Sequence, residues 1–289
     1  MKKTLIVMLA LILCVSCFFA VGCGGEELNF GKEVVKLTSQ LDALTQLKND
    51  TVDMAVIDSV MAGYYATTDE FKNDIAVLDE FTLATEQYGI AGRKDDKAFV
   101  SKINEALIAL KDTDYQTIAT TYGLNASLCI DSTTTNPLSQ ANDNSWEKIK
   151  QSGKIVVGYT IFAPIAYDVE NNVPTKGFDI DLAKKVVEYL NATYSLNLTV
   201  EFQKIEWASK EALLQNETID LIWNGLTITE ERAASMCISV PYLNNYQIAV
   251  VKKSVYTDVD SWAELFTLFS NATISVERGS AGESVVVKK

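Results

Sequence analysis

Short apolar runs of strand length alternate with amphipathic stretches along most of this chain, and that alternation admits few architectures. Val52–Ile57, Lys154–Tyr159, Thr199–Gln203, Ile219–Trp223 and Thr273–Glu277 read as strands, the more apolar of them as buried parallel ones. Helical patterns fall between them. Val35–Lys48 carries Leu37, Leu41, Leu44 and Leu47 on one stripe, and Lys97–Lys111, Ser209–Gln215 and Trp262–Phe269 read as helices too. Phe178–Leu190 opens with Asp179 and Asp181, where the helix dipole favours acids. Further helices are expected around Met61–Tyr65, at Trp146–Gln151, and at Tyr115–Tyr122, closed by Gly123. Further strands are expected at Ile75–Leu78, Tyr88–Ala91 and Tyr246–Lys252. The pattern predicts an α/β fold with largely parallel sheets. Residues 131–144 have no apolar period and are dense in turn formers, so they read as a linker. A length of 289 residues suits two modest domains, each with its own core.

Charge and composition exclude several functions. The formal charge of −13 argues against nucleic acid or an anionic membrane surface as a partner. Histidine is absent, which removes Ser-His and Cys-His catalysis and imidazole metal ligation. No cofactor or metal site is expected. Lys2 and Lys3 precede an apolar run, Leu5–Val21, that ends at Ala20-Val21-Gly22-Cys23, the layout of a secretory signal over residues 1–22. Small residues before Cys23 resemble the lipobox of bacterial lipoproteins, in which that Cys is acylated. The alternative is a transmembrane anchor, for which a run of about 17 residues is short. Either way the mature chain lies outside the cytoplasm. Cys129 and Cys237 would then remain, and whether they pair is left open.

The stretch 219–244 carries the clearest chemistry. The strand Ile219–Trp223 runs into Gly225, where backbone can approach a ligand closely. Thr227 and Thr229 bring hydroxyls, and Glu230–Ala234 reads as the first turn of a helix bearing Arg232. A guanidinium beside free amides suits a carboxylate held in a fork; a surface ion pair with Glu230 or Glu231 is the alternative. A faint internal repeat, Asn49-Asp50-Thr51-Val52-Asp53 against Asn216-Glu217-Thr218-Ile219-Asp220, places Asp58 and Gly225 at matching points past a strand. Ligands of open α/β sheets sit at such strand ends.

Taken together, several stretches resemble the amino-acid-binding branch of bacterial solute-binding proteins, which deliver ligands to ABC importers. They are Val157-Gly158 with Phe162-Ala163-Pro164, Gly177-Phe178-Asp179-Ile180-Asp181-Leu182-Ala183, Glu206-Trp207, Gly225–Arg232, Pro241-Tyr242 and Gly279-Ser280-Ala281-Gly282. Val52-Asp53 with Asp58, and Tyr88-Gly89-Ile90-Ala91, match as well. The order differs from the family's: the part holding Asp58 and Tyr88 follows the Gly-Ser-Ala-Gly turn there and precedes it here. Joining Lys289 to Glu26 would restore the usual order, so the chain reads as a circular permutation with residues 131–144 bridging the usual termini. A chimera of two adjacent genes, without function, is the alternative.

The resemblance implies a two-lobed periplasmic-binding-protein-like fold with a hinge of two crossing strands near 84–94 and 245–253. One lobe would be continuous over residues 86–253, and the other assembled from 23–85 and 254–289. It implies that Arg232 and Thr227 hold the ligand carboxylate, with Ser280 at a helix N-terminus. Asp58 and the Gly225 carbonyl would hold its ammonium; a helix cap is the alternative role for Asp58. Phe162 and Trp207 would wall the ligand side chain, with Tyr159, Trp223 and Glu277 lining that pocket although they depart from the family's usual residues there. The expected protein is a lipid-anchored monomer that binds a free, polar amino acid, serves an importer permease and performs no chemistry. A dehydratase of prephenate or arogenate on the same fold is the second reading, since a carboxyl could serve as its acid.

Overall fold

The computed structural model describes residues 27–256 and 261–288. The signal segment 1–22 and Cys23 lie outside them. In chain order the elements begin with β1 (Glu33–Leu37), α1 (Gln40–Lys48), β2 (Met54–Asp58), α2 (Ser59–Tyr65) and β3 (Ile75–Arg93). Then come α3 (Lys97–Leu110), α4 (Asp114–Tyr122), α5 (Ser145–Ser152), β4 (Lys154–Tyr159) and a small hairpin of β5 (Tyr167–Glu170) and β6 (Val173–Lys176). The remainder is α6 (Phe178–Tyr194), β7 (Thr199–Lys204), α7 (Lys210–Gln215), β8 (Leu221–Thr227), α8 (Glu230–Ser235), β9 (Met236–Ile238), β10 (Leu243–Lys252), α9 (Trp262–Phe269), β11 (Thr273–Glu277) and α10 (Ala281–Val286).

The α/β class is as expected, but the sheet is mixed rather than largely parallel. Its strands lie in the order β1-β11-β2-β10-β3-β8-β4-β7, with β9 paired to β3. The outer groups are parallel, β1 with β11 and β2 on one side and β8 with β4 and β7 on the other. The two central strands break that pattern: β10 runs antiparallel to both β2 and β3, and β3 antiparallel to β8. They are the chain's two passages between the halves of the sheet. The two strands expected at 75–78 and 88–91 are one 19-residue strand, β3. Its middle is polar and irregular, with register shifts against β10, and so reads locally as a break.

A second correction concerns Val35–Lys48. Residues 33–37 are a strand paired with Thr273–Glu277, and the helix starts only at Gln40, where the Ser39 side chain accepts from Asp42 N at 3.0 Å. The partner strand lies far along the chain, so local periodicity could not reveal the pairing. Residues 131–144 form turns without helix or strand, as expected. Their ends are tied down, Asn136 Nδ2 to Ser101 O at 2.9 Å and Ala98 N to the Asp143 carboxylate at 2.8 Å. Cys129 and Cys237 are both free thiols, raised to about 12 and about 11 by burial. No helix among the described residues is long and apolar enough to cross a membrane.

The largest apolar cluster runs through both halves, from Leu44 and Ile57 to Phe99, Phe178 and Trp223. Met54, Val56, Leu265 and Val276 form a second cluster, and Trp207, Ile222 and Leu226 belong to a third. What this packing leaves open is a cleft at the carboxyl ends of β2, β11 and β4, beside the bend in β8.

Candidate functional site

Seven of the eight expected ligand residues line that one narrow cleft: Asp58 and Ser280 from one half, and Phe162, Trp207, Gly225, Thr227 and Arg232 from the other. Parallel strands ending side by side bring them together, as open α/β sheets do. Tyr159 is the exception. Side chains alternate across a strand, so Tyr159 turns away, packs edge-on to Phe202 at 6.5 Å and donates from its hydroxyl to Asn172 O at 2.8 Å. Thr160 faces the cleft in its place, its hydroxyl 2.8 Å from the Asn224 side chain. Trp223 is likewise buried in the core, whereas Glu277 does line the cleft.

Arg232 is buried and turned inward, which removes the surface-pair alternative. Thr229 caps α8, its hydroxyl accepting from Arg232 N at 3.1 Å. The guanidinium donates from Nη1 to Thr227 O at 2.8 Å and from Nη2 to Gly279 O at 3.2 Å, one carbonyl from each half of the molecule. It forms no ion pair within 4.0 Å among the described residues. Burial pulls its pKa down, against the pull of Glu211, Glu86 and Asp58. A guanidinium with spare N–H groups and no carboxylate partner is prepared for an anion.

Asp58 stands at the N-terminus of α2 but makes no side-chain cap. Its carboxylate instead accepts from the amides of Gln40, Asn245 and Gln247, the last at 2.7 Å, while Asp58 N donates to Gln40 Oε1 at 2.9 Å. Asn245 and Gln247 also donate to Glu86, each at 3.0 Å, and Glu86 accepts from Thr227 Oγ1 at 3.1 Å. Two buried carboxyl groups thus share two amides at the crossing of β3 and β10. Burial, followed by the charge of Glu86, pushes Asp58 up to about 7. Glu277 is raised to about 8, by burial and then by Asp58.

Gly225 has φ +65°, and a Cβ there would fall 2.5 Å from Phe162 Cε1. The side chain it lacks is therefore displaced by an aromatic wall of the cleft, not by the ligand itself. Asp179, in the first turn of α6, accepts from Gly225 N at 3.0 Å and from the Tyr242 hydroxyl at 2.8 Å. Ser280 caps α10, its hydroxyl accepting from Glu283 N at 3.1 Å. Trp207 lies under Lys210, whose Nζ is 4.6 Å from the ring centre. Gln40, Glu86, Lys210, Asn245 and Gln247 are polar neighbours of the cleft that the sequence does not single out. A polar residue lying in an otherwise apolar strand, such as Gln247 before Ile248–Val251, was the available signal.

The geometry can be set beside known proteins. Residues 155–280 match the family described as bacterial extracellular solute-binding proteins, family 3. Among relatives, the glutamine-binding protein of Geobacillus stearothermophilus is 32% identical over 39% of this chain and 42% of its own length. A probable histidine-binding protein of Neisseria gonorrhoeae is 34% identical over 32% of each chain. This chain therefore spans well under half the length of those curated relatives. A solved substrate-binding protein of an ABC uptake transporter from Streptococcus pneumoniae, with bound histidine, is 36% identical over 33% of this chain and 36% of its own, with a TM-score of 0.27. The matched segment holds Phe162, Trp207, Gly225, Thr227, Arg232 and Ser280, whereas Asp58 comes from outside it.

Proposed function

We propose that this protein binds a free amino acid in the cleft, releases it unchanged and delivers it to an ABC importer permease. One observation carries the reading: a buried guanidinium without an ion pair and a buried carboxyl face the same cleft from opposite halves of the molecule. An α-carboxylate fits the first and an α-ammonium the second, with Gly225 and Thr227 backbone beside them. The glutamine- and histidine-binding names of the matched relatives support the same ligand class.

The lobes are residues 86–253 and, together, 23–85 and 254–289, hinged at β3 and β10 and closing on the ligand. The protein acts as a monomer outside the cytoplasm, tethered through a lipid on Cys23. The segments stand in permuted order. Residues 27–29 pair with 286–288, Asn29 N donating to Val286 O and Lys288 N to Glu27 O, each at 2.7 Å, which supports that order. A thermal-shift screen of the full chain against the twenty amino acids tests the function. At least one should raise the melting temperature, and Arg232→Ala should remove the shift. An unfolded product would favour the chimeric alternative, and turnover of a cyclohexadienyl acid the enzyme.

A further inference from the structure

The cleft holds one carboxyl group more than a simple zwitterion uses. Asp58 and Glu277 line it against Arg232. Behind them stand two more buried acids, Glu86 and Asp179, and one more buried cation, Lys210. In the lining and in the layer behind it, carboxyl groups outnumber cationic groups. A zwitterion engages Arg232 with its carboxylate and one acid with its ammonium, which leaves one cleft-lining carboxyl group, neutral while it holds its proton, without a partner. Resting on the amino-acid reading above, we propose that the ligand is a cationic amino acid and that Glu277 selects for its side-chain charge.

Asp58 and Glu277 are not equivalent candidates for that role. Asp58 already accepts from the amides of Gln40, Asn245 and Gln247, so three of roughly four acceptor sites of a carboxylate are filled. It has room for one further N–H, such as that of an α-ammonium. Glu277, at the end of β11, lines the cleft beside Gln40 and forms no ion pair within 4.0 Å among the described residues. Lys210 cannot neutralise it by contact. Its Nζ is held by the Trp207 and Gly279 carbonyls at 3.3 and 3.2 Å, and its nearest acid is Glu211 at 3.9 Å.

The aromatic walls add a second argument. Phe162 and Trp207 are both buried and both line the cleft, so an alkyl stem or guanidinium between them would meet ring surface. Burial and the field of Asp58 hold a proton on Glu277 to about pH 8, and an arriving cation would displace it. A neutral or acidic side chain would leave this carboxyl either protonated or unpaired.

Isothermal titration of the full chain with isosteric pairs decides the matter. Arginine is compared with citrulline, and lysine with norleucine. The cationic member of each pair should bind about 30-fold more tightly or better, the cost of stranding one partner of a buried charge pair. Glu277→Gln should collapse that ratio towards one, chiefly by weakening the cationic ligand. Citrulline binding as tightly as arginine, or a preference unchanged in Glu277→Gln, overturns the assignment while leaving amino-acid binding intact. Failure to bind any of the twenty amino acids removes the underlying reading instead. Should Glu277→Gln not fold, the wild-type ratios decide alone.

Discussion

At the scale of single residues, Arg232 separates binding from stability. Its guanidinium is buried without an ion pair among the described residues, so the fold bears a desolvation cost that a ligand carboxylate would offset further than the two carbonyls and the more distant acids do. Arg232→Ala should therefore lose about 2–5 kcal/mol of binding free energy, as for other truncated buried charge pairs. Its ligand-free melting temperature should stay within a few degrees of wild type. A large fall in melting temperature would mean that the bonds to Thr227 and Gly279 are structural staples. Protonation gives a second test. Asp58 and Asp179 are raised to about 7 and Glu277 to about 8, against about 4 in an unfolded chain. Folded protein then holds protons that unfolded protein has released, so stability is greatest below about pH 4 to 5 as far as these groups decide it. It falls as pH rises towards 8. Lys210, lowered to about 8 by burial, acts above that window. Calorimetry of the ligand-free protein should show the melting temperature declining from pH 5 to 8. A saturating cationic ligand should flatten the decline and release protons on binding.

At the scale of elements, the cleft depends on how α6, β8 and β10 are pinned together. Asp179 joins them, with one carboxylate oxygen receiving Gly225 N and the hydroxyl of Tyr242, the residue before β10, and the other without a partner among the described residues. Asp179→Ala leaves a buried N–H and hydroxyl unsatisfied and should cost about 2–4 kcal/mol of stability. Asp179→Asn keeps an acceptor for Gly225 N without the burial cost of a charge, so it should be far milder, above pH 7 most of all. Denaturant melts of the two variants at pH 8 make the comparison; equal losses would sink this account. Such links also show where sequence reading stops. The motif around Asp179 and the strand before Gly225 are local patterns, and both stood out. The donors to Asp58 did not. Gln40 is 18 residues away, at the start of α1, and Gln247 189, on β10, which reaches Asp58 because β10 pairs with β2 in the sheet. Tyr159 failed for the opposite reason, since a one-residue difference along β4 reverses the face a side chain occupies.

At the scale of the whole molecule, the site is built from distant parts of the chain. Phe162, Trp207, Gly225, Thr227 and Arg232 lie in the middle, Glu277 and Ser280 late, Gln40 and Asp58 early. The early and late parts form one sheet edge, β1 against β11 and β11 against β2, so neither is a stable unit without the other. Order along the chain should then matter less than the contacts themselves. A rearranged protein running from Gln140 to Lys288, through a short Gly-Ser join, and on from Glu27 to Ser139 tests this. Residues 27–29 and 286–288 already hydrogen-bond to each other, so the join spans little distance. The new break falls between two exposed residues, and the anchors of Asn136 and Asp143 are kept. Loop-closure cost changes slowly with length, about 0.6 kcal/mol per doubling. The rearranged chain should therefore melt within several degrees of the original and bind the same ligand within about threefold, since 0.6 kcal/mol is roughly that factor. An unfolded product would show that the present order is needed to bring Asp58 opposite Arg232. A folded product that binds nothing would show that the cleft needs its hinge strands entered from their present ends.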